Sequence, residues 1–237
     1  MTDFSPACLA AMRLCSTATL TTQMFKRGFR NVFLQNVRPL AHYDANLVGP
    51  AFTLRNVPAR EDLDRLDGFA NPEHPQRKAI ETTPSGHVLV VDCRGDGRVA
   101  SGGQILTTRL MQRGAAGLVS DGGLRDSGPI SRLPMPVFVQ NPSAPLNLVH
   151  HHAIDLNVPI ACGGVAIYPG DLMVGDSDGV VCIPAHLAED VAQDAAEQEL
   201  QETFILSLIE KGAALPGTYP PNEATKAAFA NWRAERK

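Results

Sequence analysis

The amino-acid sequence predicts an α/β fold built around a partly parallel sheet. Two apolar runs of strand length, residues 87–92 and 117–121, are typical of strands that are buried on both faces. Between them, residues 104–113 follow a helical pattern that ends at Gly114, a residue suited to a helix C-cap. Strand, helix and strand in this order form a βαβ unit, and this unit indicates parallel strands.

The segment before this unit is expected to begin with a helix over residues 6–28 that ends at Gly28. Residues 49–55 predict the start of a strand. The mixed charges, prolines and glycines of residues 56–86 predict a loop that holds one or two short helices.

The pattern changes after residue 139. Residues 154–183 predict several short antiparallel strands. Turn residues separate these strands at Gly163-Gly164, residues 169–171 and residues 176–179. A long helix is expected over residues 185–211, between Pro184 and Gly212. The tail beyond it predicts a short helix that ends in Trp232 and packs on the body or on a neighbouring molecule.

Composition restricts the class of protein. The 237 residues are 44% hydrophobic and 19% charged, which is typical of a soluble globular chain long enough to bury a sizeable core. The net charge of −4 argues against a general nucleic-acid binder, which would carry a basic surplus. No apolar run approaches the roughly 18–20 residues of a membrane helix, so no membrane partner is expected.

The cysteines indicate a reducing compartment. There are five of them, an odd number without any CxxC pair, and this pattern favours free thiols in a cytoplasmic protein. They are Cys8, Cys15, Cys93, Cys162 and Cys182.

Two separated segments predict a site for a small anion. Gly102 and Gly103 form a glycine turn that opens a helix, where free backbone N–H groups and the positive helix end attract anions. Arg125 and Asp126 follow a buried strand at the sheet edge where ligands of α/β folds bind. An arginine can bind a carboxylate through two hydrogen bonds, and an aspartate can hold a divalent cation. Together they suit a small 2-oxo acid, and the alternative is a structural glycine turn with a surface Arg-Asp pair.

Other motifs favour structural roles. Consecutive side chains do not share one face, so the histidines at residues 150–152 predict a solvated loop rather than a metal site. Residues 176–179 predict a hairpin turn, and Cys93 is expected to be a core residue. The long helix carries acidic residues that predict a solvated face, although one of them could reach a neighbouring subunit's site. These residues are Glu189, Asp190, Asp194, Glu197, Glu199, Glu202 and Glu210.

Ordered motifs give the chain a family resemblance. The motifs are VGPAFT at residues 48–53, RGAAGLV at 113–119, DGGLRD at 121–126, PGDLMVGD at 169–176 and DGVVCIP at 178–184. They resemble the RraA-like family, which includes the regulator of ribonuclease activity A and the 4-hydroxy-4-methyl-2-oxoglutarate aldolases.

The resemblance covers roughly residues 17–210. It implies a three-layer β/β/α fold like that of swivelling domains, with a long C-terminal helix, assembled as a homotrimer or homohexamer. We therefore expect one RraA-like domain over residues 1–212 and a C-terminal arm over residues 213–237.

The resemblance also implies a site. Arg125 matches the arginine that binds substrate, and Asp126 matches the aspartate that binds a divalent metal, Mg²⁺ or Mn²⁺. Backbone amides of one loop would hold the carboxylate of a pyruvyl group. The residues that match this loop are Gly103, Gln104, Ile105 and Leu106. A glutamate from a neighbouring subunit is also implied, with Glu197 and Glu199 as candidates.

Gln104 departs from the aldolase pattern, which has an acidic residue at this position. An amide cannot exchange a proton as a carboxylate does. With Arg125 and Gln104 as candidate catalytic residues, the prediction is a metal-dependent lyase of pyruvyl compounds. Gln104 favours oxaloacetate decarboxylation, or a retro-aldol cleavage that uses another base. The alternative is a non-catalytic regulator that binds a ribonuclease or another protein.

Overall fold

The computed structural model describes residues 4–235. Its α-helices are α1 (Pro6–Met12), α2 (Thr17–Lys26), α3 (Pro75–Thr82), α4 (Gln104–Gln112), α5 (Ser127–Ile130), α6 (Ala188–Glu210) and α7 (Glu223–Ala234). Short 3₁₀ helices cover Leu66–Ala70, Asn147–Val149 and Ala185–Leu187. The strands are β1 (Arg38–Pro39), β2 (Leu47–Pro58), β3 (Val88–Asp92), β4 (Gly117–Ser120), β5 (Gly123–Leu124), β6 (Val137–Val139), β7 (Asn141–Pro142), β8 (His151–Leu156), β9 (Ile160–Cys162), β10 (Val165–Ile167), β11 (Leu172–Gly175) and β12 (Val180–Ile183).

The main sheet has the order β1-β6-β4-β3-β2-β11-β12, with β8 paired to β2. Strands β2, β3, β4 and β6 are parallel to their neighbours in this run, and the βαβ unit formed by β3, α4 and β4 is confirmed. The antiparallel pairing of β9 with β10 and of β11 with β12 is confirmed as well. The turn between β11 and β12 is the expected hairpin turn.

The long strand β2 curls the sheet. Its first part pairs with β11, its middle with β3 and its last part with β8, and the register shifts between Arg55 and Asn56. A bulge of this kind bends a strand and increases its twist. One strand therefore belongs to both the parallel and the antiparallel regions.

Three layers form around the sheet, as expected. In β3, Val88 and Val90 pack toward the hairpin of β9 and β10, whereas Leu89 and Val91 pack toward α3 and α4. Successive residues of a strand point to opposite faces, so covering both faces requires an uninterrupted apolar sequence. All five residues of β3 are buried.

The N-terminal segment differs from the single helix expected over residues 6–28. It forms two helices, because Ser16 is extended and caps α2 by accepting a hydrogen bond from the N–H of Thr19. The chain does end this helical region at Gly28, where φ is +90°. Both helices pack on α6; α1 also contacts β2, and α2 also contacts β12.

Two glutamates of α6 hold the starts of these helices. Glu189 accepts hydrogen bonds from the N–H and hydroxyl of Ser5, both at 2.8 Å. Glu199 accepts hydrogen bonds from the N–H and hydroxyl of Ser16, also at 2.8 Å. Negative charge at a helix N-terminus stabilises the helix, so α6 fastens α1 and α2 to the body.

The C-terminal tail packs on the same chain. Trp232 of α7 lies 5.5 Å from Phe204 of α6 between ring centroids, and Phe229 joins them in a small apolar cluster. The long helix is confirmed, with a 3₁₀ turn before it and Gly212 after it at φ +91°. The division into a domain and an arm at residue 212 stays a prediction.

Within residues 4–235, none of the helices combines the length and apolar character needed to span a bilayer. All five cysteines are buried and free, including Cys93, which packs in the core as expected.

Candidate functional site

A cavity of about 220 Å³ lies where α4 begins, beside the turn that follows β5. Its wall includes Gly103, Ile105, Leu106, Arg125 and Asp126. The fold thus brings together the glycine turn and the Arg-Asp pair that the sequence places about twenty residues apart.

Backbone hydrogen bonds hold the loop before α4 against the segment that contains Arg125. The N–H of Ser101 donates to the carbonyl of Gly123 at 2.8 Å, and the N–H of Arg125 donates to the carbonyl of Gly102 at 3.2 Å. The Ser101 hydroxyl donates to the Gly123 carbonyl as well, at 2.9 Å. The position of Arg125 is therefore fixed by the loop that leads into α4.

The first turn of α4 presents free N–H groups. Its first helical hydrogen bond runs from the N–H of Thr107 to the carbonyl of Gly103, at 3.0 Å, so the N–H groups of Ile105 and Leu106 precede it. Gly103 offers no capping side chain. Instead, the N–H of Gln104 donates to Oδ2 of Asp126 at 3.1 Å. This helix end keeps two N–H groups available to an anion.

Asp126 adopts a backbone conformation that is uncommon for its residue type. Its φ of 58° and ψ of 34° lie in the left-handed region, which costs free energy unless the surroundings impose it. Oδ2 also lies 3.8 Å from Nε of Arg125. Oδ1 makes no hydrogen bond to the part of the chain that the structure describes. Asp126 thus lines the cavity with one carboxylate oxygen that is not engaged by the described chain.

Gly103 is required at its position by space. A Cβ there would lie 2.8 Å from both Nε of Arg125 and Oδ2 of Asp126. Its φ of −153° is extended backbone, which any residue adopts. Only the absent side chain allows Arg125 and Asp126 to lie against the start of α4.

The other residues of the sequence-predicted loop lie at different depths. Ile105 is largely exposed and Leu106 is partly buried, and both belong to the cavity wall. Gln104 is exposed and its side chain is not part of this wall. Its catalytic role stays a prediction.

Four further cavity residues with polar or aromatic side chains were missed by sequence reasoning. They are Phe69, Gln76, Arg77 and Asn147. The first three come from the segment between β2 and β3, which the sequence marks only as loop and short helices. The sequence offers one local signal, a glutamine directly after Pro75 at the start of a short helix. In the structure Gln76 is buried, and its Nε2 donates to the carbonyl of Ser101 at 2.7 Å.

The donor set at the cavity suits a loosely held hard cation. Among the described residues that line it, Asp126 carries the sole carboxylate. Residues 4–235 contain no group of three or more histidine, cysteine or acidic side chains arranged to hold a metal. Mg²⁺ is commonly bound through one or two carboxylates, with waters and substrate oxygens completing its shell. The residues present fit such an ion.

The histidines at residues 150–152 are not the solvated loop that was expected. His151 and His152 begin β8, and each of the three rings has a different partner. Nδ1 of His150 lies 2.9 Å from Asp96, and Nδ1 of His152 lies 2.7 Å from Asp64. The sequence gives no sign of these carboxylates, which come from distant loops.

His151 itself is buried and accepts a hydrogen bond at Nδ1 from the Arg94 guanidinium, 3.2 Å away. Burial, with Arg94 as a second cause, lowers the pKa of His151 to about 4. The ring is therefore neutral at pH 7.

Three acidic residues outside the cavity wall are engaged elsewhere within this chain. Glu197 pairs with Arg233 at 2.6 Å, and Glu199 caps α2 through Ser16. Asp121 is buried and accepts hydrogen bonds from the backbone N–H groups of Cys93 and Gly95, at 2.6 and 2.9 Å. Burial raises the pKa of Asp121. Its position ties loops together beside β4 and does not line the cavity.

Fold and site together define a mixed α/β protein with a cavity at the start of α4, whose described lining residues include two arginines and a single carboxylate. The family model for RraA-like proteins, described as Aldolase/RraA, matches residues 17–182. The chain belongs to the RraA-like family, which confirms the resemblance found in the sequence.

Individual relatives agree with this membership. A protein of Halalkalibacterium halodurans, named as a candidate 4-hydroxy-4-methyl-2-oxoglutarate aldolase, is 34% identical over 166 residues, which is 70% of this chain and 72% of the relative. An uncharacterized protein of Pseudomonas syringae pv. tomato superposes with a TM-score of 0.78 at 26% identity, covering 92% of this chain and 100% of that one. Streptomyces coelicolor RraAS2, described as an unusual member of the RNase ES inhibitor RraA family, superposes with a TM-score of 0.76 at 27% identity, covering 86% and 98%.

Proposed function

We propose that this protein is a divalent-metal-dependent lyase of 2-oxo acids that carry a pyruvyl group. The observation that carries the proposal is the convergence of the first turn of α4, Arg125 and Asp126 on one small cavity. The relative named as a candidate aldolase supports the same reaction class.

The chain's own groups would bind the pyruvyl end of the substrate. The N–H groups of Ile105 and Leu106 and the guanidinium of Arg125 offer donors to its carboxylate. Charge-assisted hydrogen bonds of this kind are roughly twice as strong as neutral ones. They would hold the keto oxygen toward Asp126, whose Oδ1 is free.

Asp126 would hold Mg²⁺ or Mn²⁺, with water and substrate oxygens as the remaining ligands. When bound, such an ion acts as a Lewis acid that polarises the keto oxygen and stabilises the negative charge left when the adjacent carbon–carbon bond breaks. The N–H of Gln104 and the neighbouring Arg125 would hold the Asp126 carboxylate in its orientation.

The two candidate reactions differ in whether they require a base to remove a proton from the substrate. Retro-aldol cleavage requires a base for the substrate hydroxyl, and the amide of Gln104 cannot accept that proton. Decarboxylation of oxaloacetate releases carbon dioxide without such a base. We therefore propose oxaloacetate decarboxylation as the faster reaction and retro-aldol cleavage of 4-hydroxy-2-oxo acids as the slower one.

A trimer or a dimer of trimers is part of this proposal. In a cyclic assembly all interfaces are equivalent, so the same residues of a neighbouring subunit would complete the wall of every cavity. Exposed apolar side chains, among them Ile105 at the cavity and Leu66 and Val149 elsewhere on the surface, are available for such contacts.

A second candidate function is a regulator that acts by binding a protein. The similarity to RraAS2 over 86% of the chain favours it. A ribonuclease captured from cell extract by the wild-type protein, without any pyruvate release, would support this function over the lyase.

Pyruvate release tests the lyase directly. Oxaloacetate and 4-hydroxy-4-methyl-2-oxoglutarate are incubated with protein and Mg²⁺, and the rate without protein is subtracted because metal ions alone decarboxylate oxaloacetate. Activity should disappear with a chelator and return with added cation. Asp126→Asn should lose at least about 100-fold, since it removes the charge that holds the cation.

Asp178→Asn is the matched control, because Asp178 is an exposed aspartate in the hairpin turn between β11 and β12. It should retain wild-type activity. Full activity of metal-stripped protein, or equal rates for the wild type and Asp126→Asn, would refute the proposal.

A further inference from the structure

Arg77 is the second guanidinium in the wall of the cavity, and it comes from α3 rather than from the loops that carry Arg125 and Asp126. Because Gln76, the preceding residue, is anchored to the carbonyl of Ser101, α3 is held against the loop that leads into α4. The placement of Arg77 is thus tied to the same loop that fixes Arg125.

The guanidinium of Arg77 is oriented by an aromatic ring. Its Cζ lies 4.4 Å from the centroid of Phe69, and the edge of that ring meets His74 at 5.1 Å between centroids. Stacking on a ring face holds the planar guanidinium while leaving its N–H groups at the edge for a ligand. A group of this kind binds a carboxylate with little loss of conformational freedom.

The charge of Arg77 is not balanced by the protein. Within residues 4–235 it makes no ion pair, although its helical neighbours do: Lys78 pairs with Glu73, and Glu81 pairs with Arg109. Burial and the like charge of Arg125 both lower the pKa of Arg77, which remains a cation at neutral pH. A partly buried cation without a partner is unfavourable unless a ligand supplies the anion.

The charges of the cavity set the kind of ligand it suits. Its wall carries two guanidinium groups and one carboxylate, a surplus of one positive charge before any cation binds. The pyruvyl carboxylate would use Arg125, and Arg77 would remain for a second anionic group.

We propose that Arg77 binds a second carboxylate of the substrate, remote from the pyruvyl end, and so makes the site prefer dicarboxylic over monocarboxylic 2-oxo acids. This inference rests on the proposed function of the cavity as a pyruvyl site. Arg77 would act as a specificity-determining residue and would take no part in bond cleavage.

Two ligands of equal chain length test the inference by titration calorimetry in the presence of Mg²⁺. 2-Oxoglutarate carries a terminal carboxylate, and 2-oxopentanoate has a methyl group in its place. The wild-type protein should bind 2-oxoglutarate at least about tenfold more tightly. Arg77→Gln should remove most of this preference while changing the affinity for 2-oxopentanoate by less than about threefold.

Arg77→Lys keeps the charge but loses the planar pair of donors, and it should retain part of the preference. Lys78→Gln is the matched control, since it removes one positive charge from the neighbouring exposed position and should leave the preference unchanged. Thermal unfolding of each variant verifies that it is folded.

The outcomes separate the two proposals. If wild-type protein binds both ligands equally, or if Arg77→Gln keeps the full preference, the role of Arg77 is wrong and the pyruvyl site stands. If neither ligand binds the wild-type protein, the pyruvyl site itself is wrong, and the role of Arg77 falls with it.

Discussion

Replacing Gly103 by alanine adds one methyl group at the point where α4, Arg125 and Asp126 meet. The new Cβ would lie 2.8 Å from Nε of Arg125 and from Oδ2 of Asp126, whereas ordinary van der Waals contact begins at about 3.4 Å. Each side chain must therefore move by about 0.6 Å, the difference between these two distances. The movement weakens the hydrogen bond from Gln104 to Asp126.

The fold should tolerate this change. The atoms that must move belong to partly exposed side chains, and φ at Gly103 is −153°, a value open to alanine. Alanine also restricts the unfolded chain, which stabilises proteins by about 0.4–1 kcal/mol where the native conformation is compatible. The free energy of unfolding should therefore change by less than about 1 kcal/mol.

Activity should respond much more strongly than stability. Misplacing a reacting group by about 1 Å can cost about 100-fold, so a shift of about 0.6 Å in both Arg125 and Asp126 is expected to lower kcat/KM for oxaloacetate by about 10- to 100-fold. Steady-state pyruvate release and urea unfolding measure the two quantities on the same samples.

Gly128→Ala is the matched control, because a Cβ there meets no described atom within 4 Å and Gly128 is not part of the cavity wall. It should keep kcat/KM within about threefold of the wild type. Wild-type activity in Gly103→Ala, or equal losses in both variants, would show that the close approach at Gly103 does not matter for the chemistry.

Three further predictions concern proton transfer, pH and assembly. Gln104→Glu should raise the kcat of retro-aldol cleavage and leave oxaloacetate decarboxylation within about threefold; equal wild-type rates for the two substrates would show that Gln104 is not limiting. Folding lowers the pKa of His151 to about 4, so its contribution is full above about pH 6.5 and declines as the pH falls toward 4. Urea unfolding should therefore show wild-type protein losing about 2 kcal/mol more than His151→Gln between pH 7 and pH 5, and parallel losses would contradict this. Light scattering should find a trimer or hexamer at micromolar concentration, and a fully active monomer would exclude the assembly.

Elements whose signal is local could be predicted from the sequence. The apolar run of β3 reflects the burial of both faces of that strand. The glycine at residue 114 reflects the positive φ of 82° that ends α4. Each signal lies within a few consecutive residues. The break at Ser16 was missed because a capping serine within a helical pattern resembles an ordinary surface serine. Its partner, Glu199, is supplied only by the fold.

The same difference applies to the site. Arg125 and Asp126 are adjacent and follow a glycine turn, so a motif could find them. Arg77 and Phe69 reach the cavity only because α3 docks on the loop before α4, and nothing in their immediate sequence records that docking. The partners of His150 and His152 are likewise carboxylates that lie 54 and 88 residues away in the chain.

The capping of Ser5 by Glu189 and of Ser16 by Glu199 bears on the order in which the chain can fold during synthesis. The partners are 184 and 183 residues apart, and the serines leave the ribosome first. Helices of 7 and 10 residues are too short to be stable alone in water. The segment that holds α1 and α2 must therefore wait for α6, and these two helices become stable only after translation has delivered it.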